Sequence, residues 1–553
     1  MVDVGLFGFG YCACFVAEEE ERNKKTSVCR CTNYHTSPPT LTPSTMEPVD
    51  SNIDLVRDES DPIRGPIKCL DLTEEILARF ERNDPDLVGL TVQSKSWVQG
   101  AGSAFAQCKF LKRLVIQINT ETQWVAELSA GIACNKTIEE LELVFDRSEG
   151  GVLDIDAFRF LAPFFRNNSN IHSISITIYG YSPHSKLASL LEAIGASHNL
   201  TDLALHIDMD ELGYTALANI LQNPSCKVRT LDLKYSDICP KGMAILCNTL
   251  AKYNHTVRSL DLSEIDKRFA TSHCFALSMI LSHPLTSLKK LLLAESNVGD
   301  VGMSFLGDAL AVNNVLQYID LSFNPSITLK GWQAFSSCLR NPHSALKELD
   351  ISGCNIDDQS VATVATSLAE SSSVKTLDIA SNVIGPAGVV TFFNIVLKGK
   401  SVLEELVLDS IEIHDITEGD ICEFLRALCD ESTIDSIYTS NHTFHTCEHL
   451  FDKMYPHPSP GVSDKICTLL DFNRNADKVE VARQKILDRH FYGGSTGINS
   501  LASLRETMLP HVIEWMGRDE LGYAAMFEFV QRSPILFDIS SVQATAGRKK
   551  RKK

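Results

Sequence analysis

One six-residue pattern, L-x-x-L-x-L with Val or Ile allowed at each apolar place, returns along most of the chain. Its units begin at Leu87 (LVGLTV), Leu111 (LKRLVI), Ile138 (IEELEL), Ile171 (IHSISI), Leu200 (LTDLAL) and Val228 (VRTLDL). They continue at Val257 (VRSLDL), Leu288 (LKKLLL), Leu316 (LQYIDL), Leu346 (LKELDI), Val374 (VKTLDI) and Leu403 (LEELVL), with a degenerate thirteenth at Ile434 (IDSIYT). The central steps are 28, 29, 31, 28, 30, 28 and 29 residues, a register that chance does not hold over so long a stretch. Side chains alternate across a strand, so positions 4 and 6 of each unit share one apolar face. Between units the apolar spacing changes to threes and fours, as in Met303-Ser-Phe-Leu-Gly-Asp-Ala-Leu-Ala311, which predicts a helix. One strand and one helix cannot bury their apolar faces alone, but stacked units bury a continuous core. Helices are wider than the ~4.8 Å strand separation, so the stack must curve, with strands on its concave side.

The ninth place of a unit often holds a residue able to satisfy the turn that leaves the strand. Asn119, Asn324, Cys354 and Asn382 suit that role; Asp146, Asp208, Ser236 and Ser296 are variants, and Ile265 and Ile411 break it. Gly and Asp mark the turn into the helix, as in Asn297-Val-Gly-Asp-Val-Gly302 and Asn382-Val-Ile-Gly-Pro-Ala-Gly388. On these residues the stretch from Val228 to Leu408 resembles the ribonuclease-inhibitor type of leucine-rich repeat, with one helix per repeat. The resemblance implies an α/β horseshoe solenoid with a parallel sheet inside and helices outside. It implies little about function, because this scaffold serves many binding roles.

The predicted organisation is a disordered leader over 1–62, rich in Ser, Thr and Pro. A solenoid of about 13 units follows over 63–445, with Leu70-Asp-Leu-Thr-Glu-Glu-Ile-Leu77 as an N-terminal capping helix. A helical C-terminal cap is expected over 446–540 and a disordered basic tail over 541–553. Within the cap, 476–490, 498–516 and 519–532 carry helical patterns. Leu509-Pro-His-Val-Ile-Glu-Trp-Met-Gly-Arg-Asp519 is similar to a helical module found beside such repeats in proteins of unicellular algae. An open solenoid end exposes an apolar cross-section that a cap must cover.

The 553 residues carry a formal charge of −19, which does not suit broad phosphate binding and argues against nucleic acid as the main ligand. No window reaches the ~20 consecutive apolar residues of a membrane helix. The 17 cysteines are odd in number and scattered, many at apolar helix positions such as Cys134, Cys247, Cys338 and Cys422. That pattern predicts reduced, buried thiols and a cytoplasmic protein. The run Val4 to Ala17 resembles a signal-peptide core but lacks a basic flank and is followed by Glu18 to Glu21. Cys12/Cys14 and Cys29/Cys31 are weak CxC spacings for metal or palmitate.

Three features are candidates for function. On the concave face, position 5 supplies an acidic column, Asp232, Asp261, Asp320, Asp350 and Asp378. Position 2 supplies a basic one, Arg229, Arg258, Lys289, Lys347 and Lys375, expected to relieve the repulsion within the first. Together with Tyr318 they form an expected docking face for a protein partner; the bland alternative is a self-neutralising surface. Tyr235 and Tyr438 are the other aromatics expected near the strands. The second feature is His442-Thr-Phe-His445-Thr-Cys447-Glu-His449, whose spacing matches no defensible zinc site and which reads as a polar exit from the last repeat. The third is the run Arg548, Lys549, Lys550, Arg551, Lys552, Lys553, a nuclear-import-like signal or a solvated tail.

No GxxxxGK[ST], HExxH or GxSxG occurs, and no GxGxxG follows a strand, so no catalytic residues and no cofactor are expected. The expected function is a non-enzymatic interaction scaffold. The alternative is a small-GTPase regulator resembling the Ran GTPase-activating protein, whose acidic C-terminal tail contrasts with the basic end here. An immune-type or ubiquitin-ligase adaptor is a third possibility, but no nucleotide-binding domain precedes the repeats and Leu70–Leu77 is too short for an F-box.

Overall fold

The computed structural model describes residues 70–489 apart from 94–96, 119–122, 146–156, 168–169, 179–186, 266–270, 400, 410–412, 415–416, 449–453 and 456–458, together with Pro510 and Glu514. Fourteen of the sixteen described strands build one parallel sheet whose order in space is their order in sequence, and Ile413–His414 pairs with Met454–Tyr455 in a second, two-stranded parallel sheet. The larger sheet begins with Leu70–Asp71 and Gly89–Gln93 and ends with Glu405–Val407 and Thr446–Glu448. Position 4 pairs with position 4 throughout the central units: Leu203, Leu231, Leu260, Leu291, Ile319, Leu349, Leu377 and Leu406 form one row. These side chains and those at position 6, such as Leu233, Leu262, Leu293 and Leu321, are buried. The fold is the α/β leucine-rich-repeat horseshoe solenoid that the spacing predicts.

Helices alternate with the strands, among them Pro240–Lys252, Thr271–Leu281, Asp300–Leu310, Leu329–Ser336, Asp358–Leu368 and Pro386–Lys398. The Gly and Asp of the entry turns link neighbouring repeats. Asp300 Oδ1 accepts from the backbone N–H groups of Thr328 (2.7 Å) and Gly331 (3.1 Å), at the start of the next helix. Asp358 Oδ1 accepts from Gly385 N at 2.7 Å in the same way. A Cβ on Gly388 would lie 2.3 Å from that Oδ1, so the approach of the carboxylate requires glycine there.

The ninth-place residues work as expected where they are described. Asn324 donates to the carbonyls of Leu293 and Leu321, each at 2.8 Å, and accepts from Val298 N at 2.8 Å. Ser296 Oγ donates to Leu262 O at 2.7 Å and Cys354 Sγ to Leu321 O at 3.0 Å. Asn119, Asp146 and Ile411 lie outside the described residues.

Three expectations are corrected. Leu70–Asp71 is the edge strand of the sheet, with Leu70 opposite Leu90, and the helix starts only at Glu74 and runs to Glu81. Thr73 accepts from Ile76 N at 3.2 Å, so a cap residue separates strand from helix. Ile434 does not open a strand: Ile434–Thr439 is a helix capped by Thr433, and Tyr438 lies on it rather than on the sheet. Among the described residues the last strand of this sheet is Thr446–Glu448, in register with Glu405–Val407 and starting one residue past the expected solenoid boundary at 445. The expected helix over 476–490 appears as Lys478–Leu487, preceded by Pro460–Asn473. The segments 498–516 and 519–532, the algal-like stretch, the leader and the basic tail lie outside the described residues, Pro510 and Glu514 excepted.

Among the described residues Cys108, Cys134, Cys226, Cys239, Cys247, Cys274, Cys338, Cys354, Cys422 and Cys429 are free; Cys108, Cys247, Cys274, Cys338, Cys354 and Cys429 are buried, whereas Cys134 and Cys422 are exposed. Burial pushes the thiols of Cys274 and Cys354 up to about 12, which makes them inert packing groups. No described helix is long and apolar enough to cross a membrane.

Candidate functional site

The concave face is built by a turn that repeats at each strand exit. The position-5 carboxylate accepts from the backbone N–H of position 7: Lys234 on Asp232 (3.0 Å), Ser263 on Asp261 (2.9 Å), Ser322 on Asp320 (2.9 Å), Ser352 on Asp350 (2.9 Å) and Ala380 on Asp378 (2.8 Å). Position 8 then turns into the left-handed region, with φ between 52° and 63° at Tyr235, Glu264, Glu295, Phe323, Gly353 and Ser381. Its N–H donates to the position-7 carbonyl of the next unit, from Glu264 N on Ala294 O (2.7 Å) to Ser381 N on Asp409 O (2.8 Å). The sheet's hydrogen bonding therefore continues around the bend and fixes the side chains that the bend displays. A bulky residue with positive φ is strained by about 1–2 kcal/mol. Tyr235 and Phe323 occupy that conformation and are 51% and 53% exposed, so aromatic rings stand out from the ridge rather than packing beneath it.

The acidic column is broken. Asp261 pairs in register with Leu292 and Leu292 with Asp320, so the carboxylates form a pair and a triplet. Their repulsion is felt. Burial and the neighbouring Asp232 push the Asp261 carboxyl up, against hydrogen bonds from Ser263 and the charge of Lys234. Burial and Asp350 do the same to Asp320. The cation that acts on Asp261 is thus at position 7, not in the position-2 column. Arg229, Arg258, Lys289, Lys347 and Lys375 are all exposed, and Lys375 pairs with Glu404 of the next unit at 2.6 Å. The expected relief of the acidic column by the basic one is therefore corrected: the position-2 cations face solvent, while the carboxylates are half-buried or, at Asp320, buried.

The position-5 carboxylates also have a structural role, as acceptors for their own turns. Asp→Asn keeps the acceptor oxygen and removes the charge. For an acid whose folded pKa is raised, the ionised form is disfavoured by folding, so stability rises as pH falls through that pKa. Asp261→Asn and Asp320→Asn should accordingly raise Tm at pH 7 by roughly one to two degrees each. The gain should shrink as pH falls through the raised folded pKa and be gone below the unfolded carboxyl pKa of about 3.9. A loss of stability at pH 7, read by thermal circular dichroism, would refute this account of the column.

Several groups at this face were not singled out in the sequence. His206, at position 7 of its unit, is 8% exposed. Its Nδ1 lies 3.1 Å from Thr177 Oγ1 and its Nε2 lies 3.0 Å from Asp232 Oδ2, at ion-pairing distance but outside hydrogen-bond geometry. Burial would raise the Asp232 carboxyl, but the imidazole and Lys234 outweigh it and hold the group below its usual range. Tyr235 meets the His206 ring edge-on at 5.9 Å, with Lys234 Nζ 5.6 Å from the tyrosine ring centre. Tyr318, which the sequence did point to, sits half-buried on the concave face with Lys290 Nζ 4.8 Å from its ring centre. The signal that could have located these residues was positional: places 7 and 8 of each unit, not 2 and 5 alone.

The His/Cys cluster does not converge. His442 is buried against Lys485, His445 Nδ1 lies 2.9 Å from Thr446 Oγ1, Cys447 occupies position 4 of the last strand, and His449 lies outside the described residues. Among the described residues no three His, Cys, Asp or Glu side chains are grouped to hold a metal ion.

A family model described as "Leucine Rich repeat" matches residues 312–336, 344–365 and 370–393. The ribonuclease inhibitor of Mus musculus is 28% identical over 244 residues, covering 44% of this chain and 52% of that protein. The NACHT, LRR and PYD domains-containing protein 12 of Mus musculus is 32% identical over 184 residues, 33% of this chain and 17% of that protein. This chain thus spans about half the length of the ribonuclease inhibitor and a smaller share of the other. Among solved structures, the TLR13–ssRNA13 complex aligns with a TM-score of 0.35 at 14% identity, over 67% of this chain and 45% of that one. The strand row, the ninth-place hydrogen bonds, the family-model match and the ribonuclease-inhibitor match together show that this chain carries leucine-rich repeats of the ribonuclease-inhibitor type.

Proposed function

We propose that this chain is a non-enzymatic scaffold that binds a protein partner on its concave face and on the strand-exit ridge beside it. The observation that carries the reading is the ridge. Six successive position-8 residues are held in one backbone conformation by inter-repeat hydrogen bonds, and two of them are exposed aromatics at strained φ. Preformed area lowers the ordering cost of association. Aromatic side chains are enriched among the residues that dominate interface energies. The partner-binding set is Arg229, Asp232, Arg258, Asp261, Lys289, Tyr318, Asp320, Lys347, Asp350, Lys375 and Asp378, to which the ridge adds Tyr235 and Phe323. The binding activities of the relatives are their own and enter only as support for a binding role.

The test is capture of partners from lysate of the cells that make the protein. Reversing the Asp column to Lys would break the position-7 turns, so it is not a clean probe. Tyr235→Ala, Tyr318→Ala and Phe323→Ala combined leave those turns intact, and Phe275→Ala on the convex helix Thr271–Leu281 is the control. The triple variant should lose the partner, each hot-spot ring contributing at least ~2 kcal/mol, while the control keeps it and both keep wild-type circular dichroism. Equal capture by the triple variant and wild type would overturn the concave-face reading. Import through Arg548–Lys553 is a separate proposal, tested by the distribution of a fluorescent fusion with and without those six residues.

A further inference from the structure

At the C-terminal end of the sheet two ionisable side chains meet in the interior without a counter-charge between them. Lys485, on helix Lys478–Leu487, is 2% exposed, and His442, just before the last strand, is 8% exposed. Lys485 Nζ lies 3.4 Å from His442 Nδ1, and His442 Nε2 meets no partner in hydrogen-bond geometry. The adjoining elements bury apolar side chains, Ile437, Phe444, Ile466 and Ile486. Polar contacts of the helix pair with the elements before it include Asn473 Nδ2 donating to Phe444 O at 2.6 Å and Lys465 Nζ with Glu431 at 2.5 Å. We infer that His442 and Lys485 form an acid-sensitive latch: protonating the imidazole sets two cations side by side in a dry interface and releases helix Lys478–Leu487 from the end of the solenoid.

The charged neighbours support this direction. From the same helix pair, Lys478 adds positive charge at His442, and its Nζ is held by the carbonyls of Asn473 and Asn475 at 2.8 and 2.9 Å. From the segment after helix Glu418–Leu428 come the buried Cys429 thiol and Glu431. Glu431 is already engaged by Lys465 Nζ at 2.5 Å and by Arg489 Nε at 3.2 Å, so it is not free to neutralise a second cation. From the last strand, His445 is itself held low by burial. The backbone of Ile437 and Tyr438 favours a charged His442, but burial and Lys485 outweigh it and lower the group to about 4.

The sign follows. A base whose folded pKa lies below its unfolded value stabilises the folded state fully above about 6.5. That contribution is lost as pH falls from 6.5 towards 4, on the order of a hundredfold in the opening equilibrium. Lys485, lowered by burial to about 8, stays charged throughout this window.

Hydrogen exchange of the intact chain, followed by mass spectrometry at pH 7.5 and pH 5.0 and corrected for intrinsic exchange rates, tests the latch. Peptides from 478–487 and 434–439 should lose protection at pH 5.0, while a peptide from 300–310 keeps it. The loss should disappear in His442→Gln. Should His442→Gln loosen the cap at both pH values, Lys485→Met decides, since it keeps the imidazole and removes the second cation; the acid response must then shrink. Equal protection of the wild type at both pH values, or a full acid response in Lys485→Met, would overturn the inference.

Discussion

Asn382→Ala should destabilise the solenoid by roughly 3–5 kcal/mol, among the largest effects of any single substitution in the repeats. The side chain is 7% exposed and uses every hydrogen-bonding position it has. Its Oδ1 accepts from Cys354 N at 3.0 Å and Ile356 N at 2.9 Å. Its Nδ2 donates to Ile351 O at 3.0 Å, Ile379 O at 2.9 Å and Ala380 O at 3.2 Å. Three of these groups belong to the preceding repeat, so one amide ties two strand exits together. Alanine leaves two buried N–H groups with no acceptor, and each such group costs about 1–3 kcal/mol. Asn382→Ser should fall between, because serine already serves at Ser236, which accepts from Ile207 N at 3.1 Å. Urea denaturation followed by circular dichroism measures the shift. Repeat arrays can unfold in parts, so exchange of peptides from 351–356 and 379–384 should report the same loss locally. A shift below about 1 kcal/mol would mean that water replaces the amide at this exit.

The repeat was legible because three burial requirements recur in each unit at fixed places, as at Val228, Leu231 and Leu233. Chemistry at the ninth place was legible for a related reason: few side chains can serve a buried turn, and those few are conspicuous. The ends of the stack were harder. Leu70-Asp-Leu72 fits the unit, but Glu74 to Glu81 reads as helix, and the helical signal absorbed two residues that pair with Leu90 and Thr91. At the other end the period placed a unit at Ile434. The step from Leu403 to Phe444 is 41 residues, against 28 to 31 in the central units, and the thirteenth L-x-x-I-like match falls inside that longer step, on a helix with its own Thr433 cap. Among the described residues the last unit of the sheet begins at Phe444, whose buried ring packs 5.9 Å from Phe393, but its two other apolar places hold Cys447 and His449.

The positions of the concave-face carboxylates were legible, but their electrostatics were not. A column of Asp at position 5 follows from the sequence alone. That each carboxylate accepts from position 7 depends on the turn, and that Leu292 divides the column depends on register. The pairing of Asp232 with His206 crosses from position 5 to position 7 of adjacent units. Equal positions stack side by side, which is what one sequence suggests. Diagonal contacts need the actual offset of the strands. The latch residues lie still further from view, because Lys485 and His442 are 43 residues apart in elements that the repeat does not describe.

Gly131→Ala should be the most damaging substitution near the N-terminal end, at 3 kcal/mol or more by order of magnitude. Gly131 lies on helix Gln123–Ile132 and faces Gly102 at the start of helix Gly102–Gln107. A Cβ there would stand 2.0 Å from the Gly102 carbonyl oxygen and 2.7 Å from its carbonyl carbon. Both are backbone atoms, so no side-chain rotation makes room and the helices must move apart. The reciprocal position is just as tight: a Cβ on Gly102 would lie 2.6 Å from Glu127 O. Separation would also break the contacts of Glu127 with Gly100 N at 2.7 Å and Trp97 Nε1 at 3.3 Å. Beneath them, Trp97 packs 5.5 Å from Trp124 and 6.4 Å from Phe105, so the strain is carried into the core. In an ordinary helix interior the same change would stabilise by about 0.5–1 kcal/mol, since glycine is the poorer helix former. The two expectations have opposite signs, which makes the measurement decisive. A melting temperature raised or unchanged by Gly131→Ala would mean the helices do not approach as closely as this. A fall of several degrees, with tryptophan fluorescence altered at the same time, is the expected result.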